Sequence, residues 1–151
     1  MLKERILDKI KEISNFLEEL SEIIPQNYES YRNSFRDRAS CERYFEKIVV
    51  ACVELGYFII KYKKLELPTK DKELFVILEK SKIISPVLSK KLIEAKGMRN
   101  ILAHEYGKVN DQMVYESVHE EIISDIEEFL TLIEKVISEE ESEKQFKIHE
   151  R

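Results

Sequence analysis

Residues 41–62 read CERYFEKIVVACVELGYFIIKY, and their spacing decides the fold class. Cys41, Phe45, Ile48, Cys52, Leu55, Ile59 and Tyr62 recur at alternating steps of four and three, the interval at which one helix face meets its neighbours in a bundle. The pattern predicts a long helix over about 34–64. Between 48 and 60 the remaining faces are apolar as well, through Val49, Val50, Val53, Tyr57 and Phe58. A helix apolar around most of its circumference must be covered on most sides. One small bundle has difficulty doing that, so the stretch points to a second subunit.

Working outward, Leu2, Ile6, Ile10, Ile13, Leu17, Leu20 and Ile24 make a single stripe that Pro25 closes. Residues 26–33 have no readable form. After Pro68 and Thr69, a short helix is expected over about 70–81, with Leu74, Phe75, Ile77 and Leu78 inward. Ser85-Pro86 is an N-cap followed by proline at the first helical position. It opens a helix running through Leu88, Leu92, Ala95, Met98 and Leu102 toward a stop at Gly107. A last helix starts near Asp111 and carries Val114, Val118, Ile122, Ile126, Phe129, Ile133 and Val136. The fold class is all-α: an up-and-down bundle of four to five helices in one domain, 1–137. The acidic tail 138–151 is expected to fray.

Composition narrows the function classes. With 43% hydrophobic and 36% charged residues, three Gly, three Pro and no Trp, amphipathic helices are favoured over a many-stranded sheet or disorder. The most apolar stretch, 48–60, is too short to cross a bilayer and contains Glu54. The N-terminus turns amphipathic at once, without a secretory pattern. Cys41 and Cys52 would stand roughly 16 Å apart on one helix, beyond disulfide reach, and read as reduced core thiols of a cytoplasmic protein. Net charge is −5, yet 86–108 carries +3, a basic patch on an acidic chain.

That patch centres on Arg99-Asn100-Ile101-Leu102-Ala103-His104-Glu105-Tyr106. Arg99 offers a planar fork of donors suited to a phosphate. His104 exchanges a proton near neutral pH. Tyr106 supplies a hydroxyl that could bind, act or be modified. At 100° per residue, Asn100 and His104 lie about 40° apart on the helical wheel, whereas Arg99 and His104 lie about 140° apart. Either the helix loosens before Gly107 or two copies meet across a dyad and interleave their groups. Gly97 fits the second arrangement, because a missing side chain lets another backbone approach. Plainer roles stand beside these: Arg99 paired with Glu54 or Glu105, Asn100 bonded to His104, Tyr106 as a half-buried aromatic. His119 and His149 join no constellation, His104-Glu105 does not continue into a zinc-binding repeat, and the cysteines lack ligand spacing. No metal site and no cofactor are expected.

Arg-x4-His-x-Tyr, with Asn directly after the Arg and a long acidic helix following, resembles the HEPN superfamily. More narrowly, it resembles the HepT-like toxins paired with MntA-type nucleotidyltransferases. Residues 43–60 look like that family's long second helix and 74–115 like its motif region. The resemblance implies a homodimeric bundle whose motif helices face each other across a cleft, acting as a metal-independent endoribonuclease on RNA. It implies Arg99 and His104 as the catalytic pair, Asn100 as a supporting polar residue, and Glu54 as the family's mid-helix acid. Tyr106 is then the tyrosine that the nucleotidyltransferase antitoxin modifies with AMP to silence the toxin. A competing reading from another class is a non-catalytic helical adaptor that presents substrates to a nucleotidyltransferase. A purely structural dimer, whose motif tolerates substitution, is a third.

Overall fold

The computed structural model describes residues 1–104 and 109–150, with side chains through residue 148. Four long helices carry the architecture: α1 (Leu2–Ile23), α3 (Phe35–Tyr62), α5 (Pro86–His104) and α7 (Ile122–Glu150). Three short ones fill the connections: α2 (Tyr28–Arg32), α4 (Asp71–Lys80) and α6 (Asp111–Glu116). No strand occurs among the described residues. The central element is α3, which packs against α1, α2, α4, α5 and α7. Its start is fixed by Ser34, whose hydroxyl accepts from the Asp37 amide at 3.1 Å.

The expected stripes are the ones that reach the core. Ile6, Ile10, Ile13, Leu17 and Leu20 of α1 are buried against α3, and Leu74, Phe75 and Leu78 pin α4. The apolar circumference of α3 finds cover within its own chain. Val49 is buried, and Val53, Tyr57 and Phe58 are half-buried. Tyr57 donates to Asp71 at 2.8 Å, and the Arg5 guanidinium stands 5.2 Å from the Phe58 ring centre. Only Val50 of this set, at 36% exposure, faces outward. This helix alone therefore does not require a second subunit.

Three features depart from expectation. Within residues 26–33, Tyr28–Arg32 form α2, capped by the Asn27 side chain and anchored by Tyr31, whose ring is wholly buried beside Tyr115. Between α6 and α7, Ser117–Glu121 winds as a π-helical turn. The core positions explain it: Val114, Val118, Ile122 and Ile126 are all buried, and each step of four overshoots a full α-turn by about 40°. One wider turn absorbs the surplus residue and keeps all four facing inward. Finally, the tail expected to fray continues as helix to Glu150. Lys63 holds Glu140 at 3.0 Å and Lys3 pairs with Glu141, so its first turn is tied to α3 and α1, and residues of good helix propensity carry it on.

Candidate active site

The motif rides on α5, which its own neighbours fix in place. Ser85 Oγ accepts from the Leu88 amide at 3.1 Å, and the buried Ser89 hydroxyl donates to the Phe75 carbonyl of α4 at 3.3 Å. Leu88, Leu92 and Leu102 are buried. The helix stays α-helical through His104, so it does not loosen to swing His104 toward Arg99. The two side chains leave opposite sides of the rod.

Arg99 is half-buried on the side facing α3. It closes a cleft of about 240 Å³ walled by residues of α1 and α3, including Phe16, Lys47 and Glu54. It also borders a second of about 220 Å³ with Val50, Val53, Asp71 and Lys96. Its Nε is buried and has no hydrogen-bond partner among the described residues. The half-buried Arg99 side chain borders both clefts, so an anion entering either would meet a guanidinium.

Glu54, expected beside the motif, shares both clefts with Arg99 but is committed elsewhere. Lys9 of α1 holds Glu54 and Glu12, each at 2.8 Å. Burial alone would lower the Lys9 pKa, but hydrogen bonds and charge from Glu12 and Glu54 together hold it above its usual value. The basic patch is likewise partly neutralised, with Lys91 on Asp125 at 3.3 Å and Lys96 on Asp71 at 3.6 Å. Arg99 takes part in neither pair.

Asn100 and His104 are exposed, one turn apart. With Gly97 and Ile101 they form the outer stripe of α5. A Cβ built on Gly97 would meet nothing within 4 Å, and Ile101 is 43% exposed. Gly97 and Ile101 also border a larger cleft of about 470 Å³ between α5 and the α6–α7 rod, on the side of α5 away from Arg99. Tyr106 and Gly107 lie outside the described residues.

A model of the family described as Ribonuclease HepT-like matches residues 7–133. The chain belongs to that family.

Among relatives of this HepT-like chain, the tRNA nuclease HepT of Aphanizomenon flos-aquae is 26% identical over 110 residues, 73% of this chain and 75% of that protein. The mRNA nuclease HepT of Shewanella oneidensis is 23% identical over 128 residues, 85% and 95% respectively. In fold, the chain is similar to the tri-AMPylated Shewanella oneidensis HEPN toxin solved in complex with MNT antitoxin. That likeness has a TM-score of 0.80 and 23% identity over 86% of this chain and 96% of the other. The HepT-like fold is the all-α bundle that the sequence predicts.

Apart from Glu54, sequence reading missed the walls of the Arg99 cleft. Arg43, Lys47, Val50 and Glu54 repeat at steps of four, three and four along α3 and all line it. That signal was present, but the apolar seam on the opposite face dominated the reading of this helix. Phe16 of α1 comes from a distant part of the sequence and carried no local signal.

Proposed function

We propose that this HepT-like chain is a metal-independent endoribonuclease toxin, acting as a cytoplasmic homodimer and restrained by a separately encoded nucleotidyltransferase antitoxin. The observation that carries the reading is Arg99: a half-buried guanidinium at the edge of a cleft, its Nε without a hydrogen-bond partner among the described residues. It awaits an anion, and the phosphodiester of RNA supplies one. RNA also brings its own nucleophile. His104 removes the proton of the 2′-hydroxyl, whose oxygen attacks the adjacent phosphorus. Water protonates the departing 5′-oxygen. Arg99 stabilises the charge growing on the non-bridging oxygens, and Asn100 orients His104 from one turn away. The products are a 2′,3′-cyclic phosphate and a 5′-hydroxyl.

Because Arg99 and His104 leave α5 about 140° apart, a site using both draws on two copies. The exposed Val50 beside Arg99, and the open space at Gly97 with the exposed Ile101 on the His104 side, leave both sides of α5 accessible to a second copy. AMP placed on Tyr106 would set bulk and negative charge beside the phosphate position and shut RNA out; the tri-AMPylated Shewanella oneidensis toxin supports AMP as the modifying group.

The test uses protein whose intact mass shows Tyr106 unmodified, incubated with RNA in excess chelator. Cleavage to cyclic-phosphate ends is expected. Arg99→Ala and His104→Ala should each reduce the rate about 10²–10³-fold with the fold intact. Loss of activity in chelator would overturn metal independence. No cleavage by unmodified protein, with both variants behaving alike, would leave the adaptor reading in its place.

A further inference from the structure

The cleft beside Arg99 has a charge balance that a simple count hides. Three carboxylates line it, Glu12, Glu46 and Glu54. Glu12 and Glu54 are both held by Lys9 at 2.8 Å, and Glu46 faces Arg43 at 3.8 Å. Lys47 and Arg99, by contrast, have no carboxylate partner among the described residues. The Lys47 ammonium instead stands 4.5 Å from the ring centre of Phe16 and 4.7 Å from that of Tyr44. The two rings meet edge to face, and the Tyr44 hydroxyl donates to Glu19. Aromatic faces position a cation without cancelling its charge. The ammonium is therefore held in place and remains available.

Resting on the ribonuclease reading, we propose that Lys47 extends a phosphate-binding track along α3 from Arg99. The track grips the RNA backbone beside the phosphate that Arg99 engages. Cations interleaved with aromatic rings along a groove are how single-stranded nucleic acid is held without sequence preference. On a chain of net charge −5, uncommitted cations are needed locally to offset repulsion of a polyanion. An acidic protein segment would meet the same cations, but it would find Glu12, Glu46 and Glu54 around them and gain nothing from the rings.

The probe is a fluorescent 2′-O-methyl RNA oligonucleotide, which lacks the attacking hydroxyl and so reports binding apart from cleavage. Its affinity for the full chain is measured across a salt series. Lys47→Met keeps the apolar stem over the rings, and Lys47→Gln serves as a second variant if packing changes. Either is expected to weaken binding about tenfold and to reduce the slope of log affinity against log salt by about 0.7. Lys47→Arg should retain both, and Lys135→Gln on α7 should change neither. Binding by Lys47→Met equal to the unsubstituted chain, or weakened with an unchanged salt slope, overturns the track, as does failure of the unsubstituted chain to bind. Lys47-dependent binding without cutting of ordinary RNA sinks the ribonuclease reading and leaves the track standing. Cutting with an unchanged KM in Lys47→Met does the reverse. Unaltered RNA binding with weakened capture of an acidic protein partner assigns the cations to that partner instead.

Discussion

Arg99 and Glu54 show how little proximity in a motif says about pairing. Both line the same cleft, yet Glu54 is held by Lys9, while the Arg99 Nε has no hydrogen-bond partner among the described residues. A positive group already neutralised by its neighbour is a weaker anion binder, so the Lys9 pairing leaves Arg99 available. The buried ionisable groups of α3 itself include its two thiols, Cys41 and Cys52. Burial, with the charges of Asp37 and Glu42, pushes the Cys41 thiol up to about 11 from its ordinary 9.0. A thiol whose folded pKa is raised contributes stability that is fully present below the unfolded value and is lost as pH rises toward the folded one. Stability to urea should therefore decline between about pH 9 and 11. Cys41→Ala should flatten part of that decline while lowering stability at pH 7; an unchanged slope would show that Cys41 is not the group responsible.

Two glycines at the level of the helices make a paired experiment. At Gly56 of α3 an added Cβ would come within 2.7 Å of Leu74 Cδ2 and 3.1 Å of its Cγ, where α4 packs closely. Gly56→Ala should thus lose about 1–3 kcal/mol from overpacking, outweighing the roughly 1 kcal/mol gained in helix propensity. Gly97→Ala meets open space within one chain and should raise the stability of the isolated subunit by up to about 1 kcal/mol, read by urea melts at low concentration. If another copy packs there, the same change weakens self-association. The long helices were legible because each carries a continuous apolar stripe, as at Ile6, Ile10, Ile13, Leu17 and Leu20 of α1. Helix α2 was not: it has five residues, and what holds it is the Asn27 cap and the burial of Tyr31 against Tyr115, a contact across the sequence. The π turn left a trace, the run of core positions four apart, which a 3.6-residue template reads as ordinary helix. The motif was legible as a string of residues. Its cleft was not, since Phe16, Lys47 and Arg99 come from three separate helices.

For the molecule as a whole, the decisive question is whether one site draws on two chains. Mixing Arg99→Ala with His104→Ala, each inactive alone, should restore about a quarter of full activity in a two-fold dimer, since half the dimers are mixed and each then holds one complete site. No recovery, after exchange of subunits is confirmed by sedimentation, would place both groups in the same chain. The two cysteines give a route to watching such an encounter directly. Cys41 and Cys52 are both buried and unpaired, and burial pushes both thiols well away from the reactive form. A single cysteine engineered onto an exposed helix face would outpace them in conjugation chemistry, with no need to remove the native pair. Donor and acceptor dyes attached there on separate batches would report association by energy transfer while the core stays as nature made it.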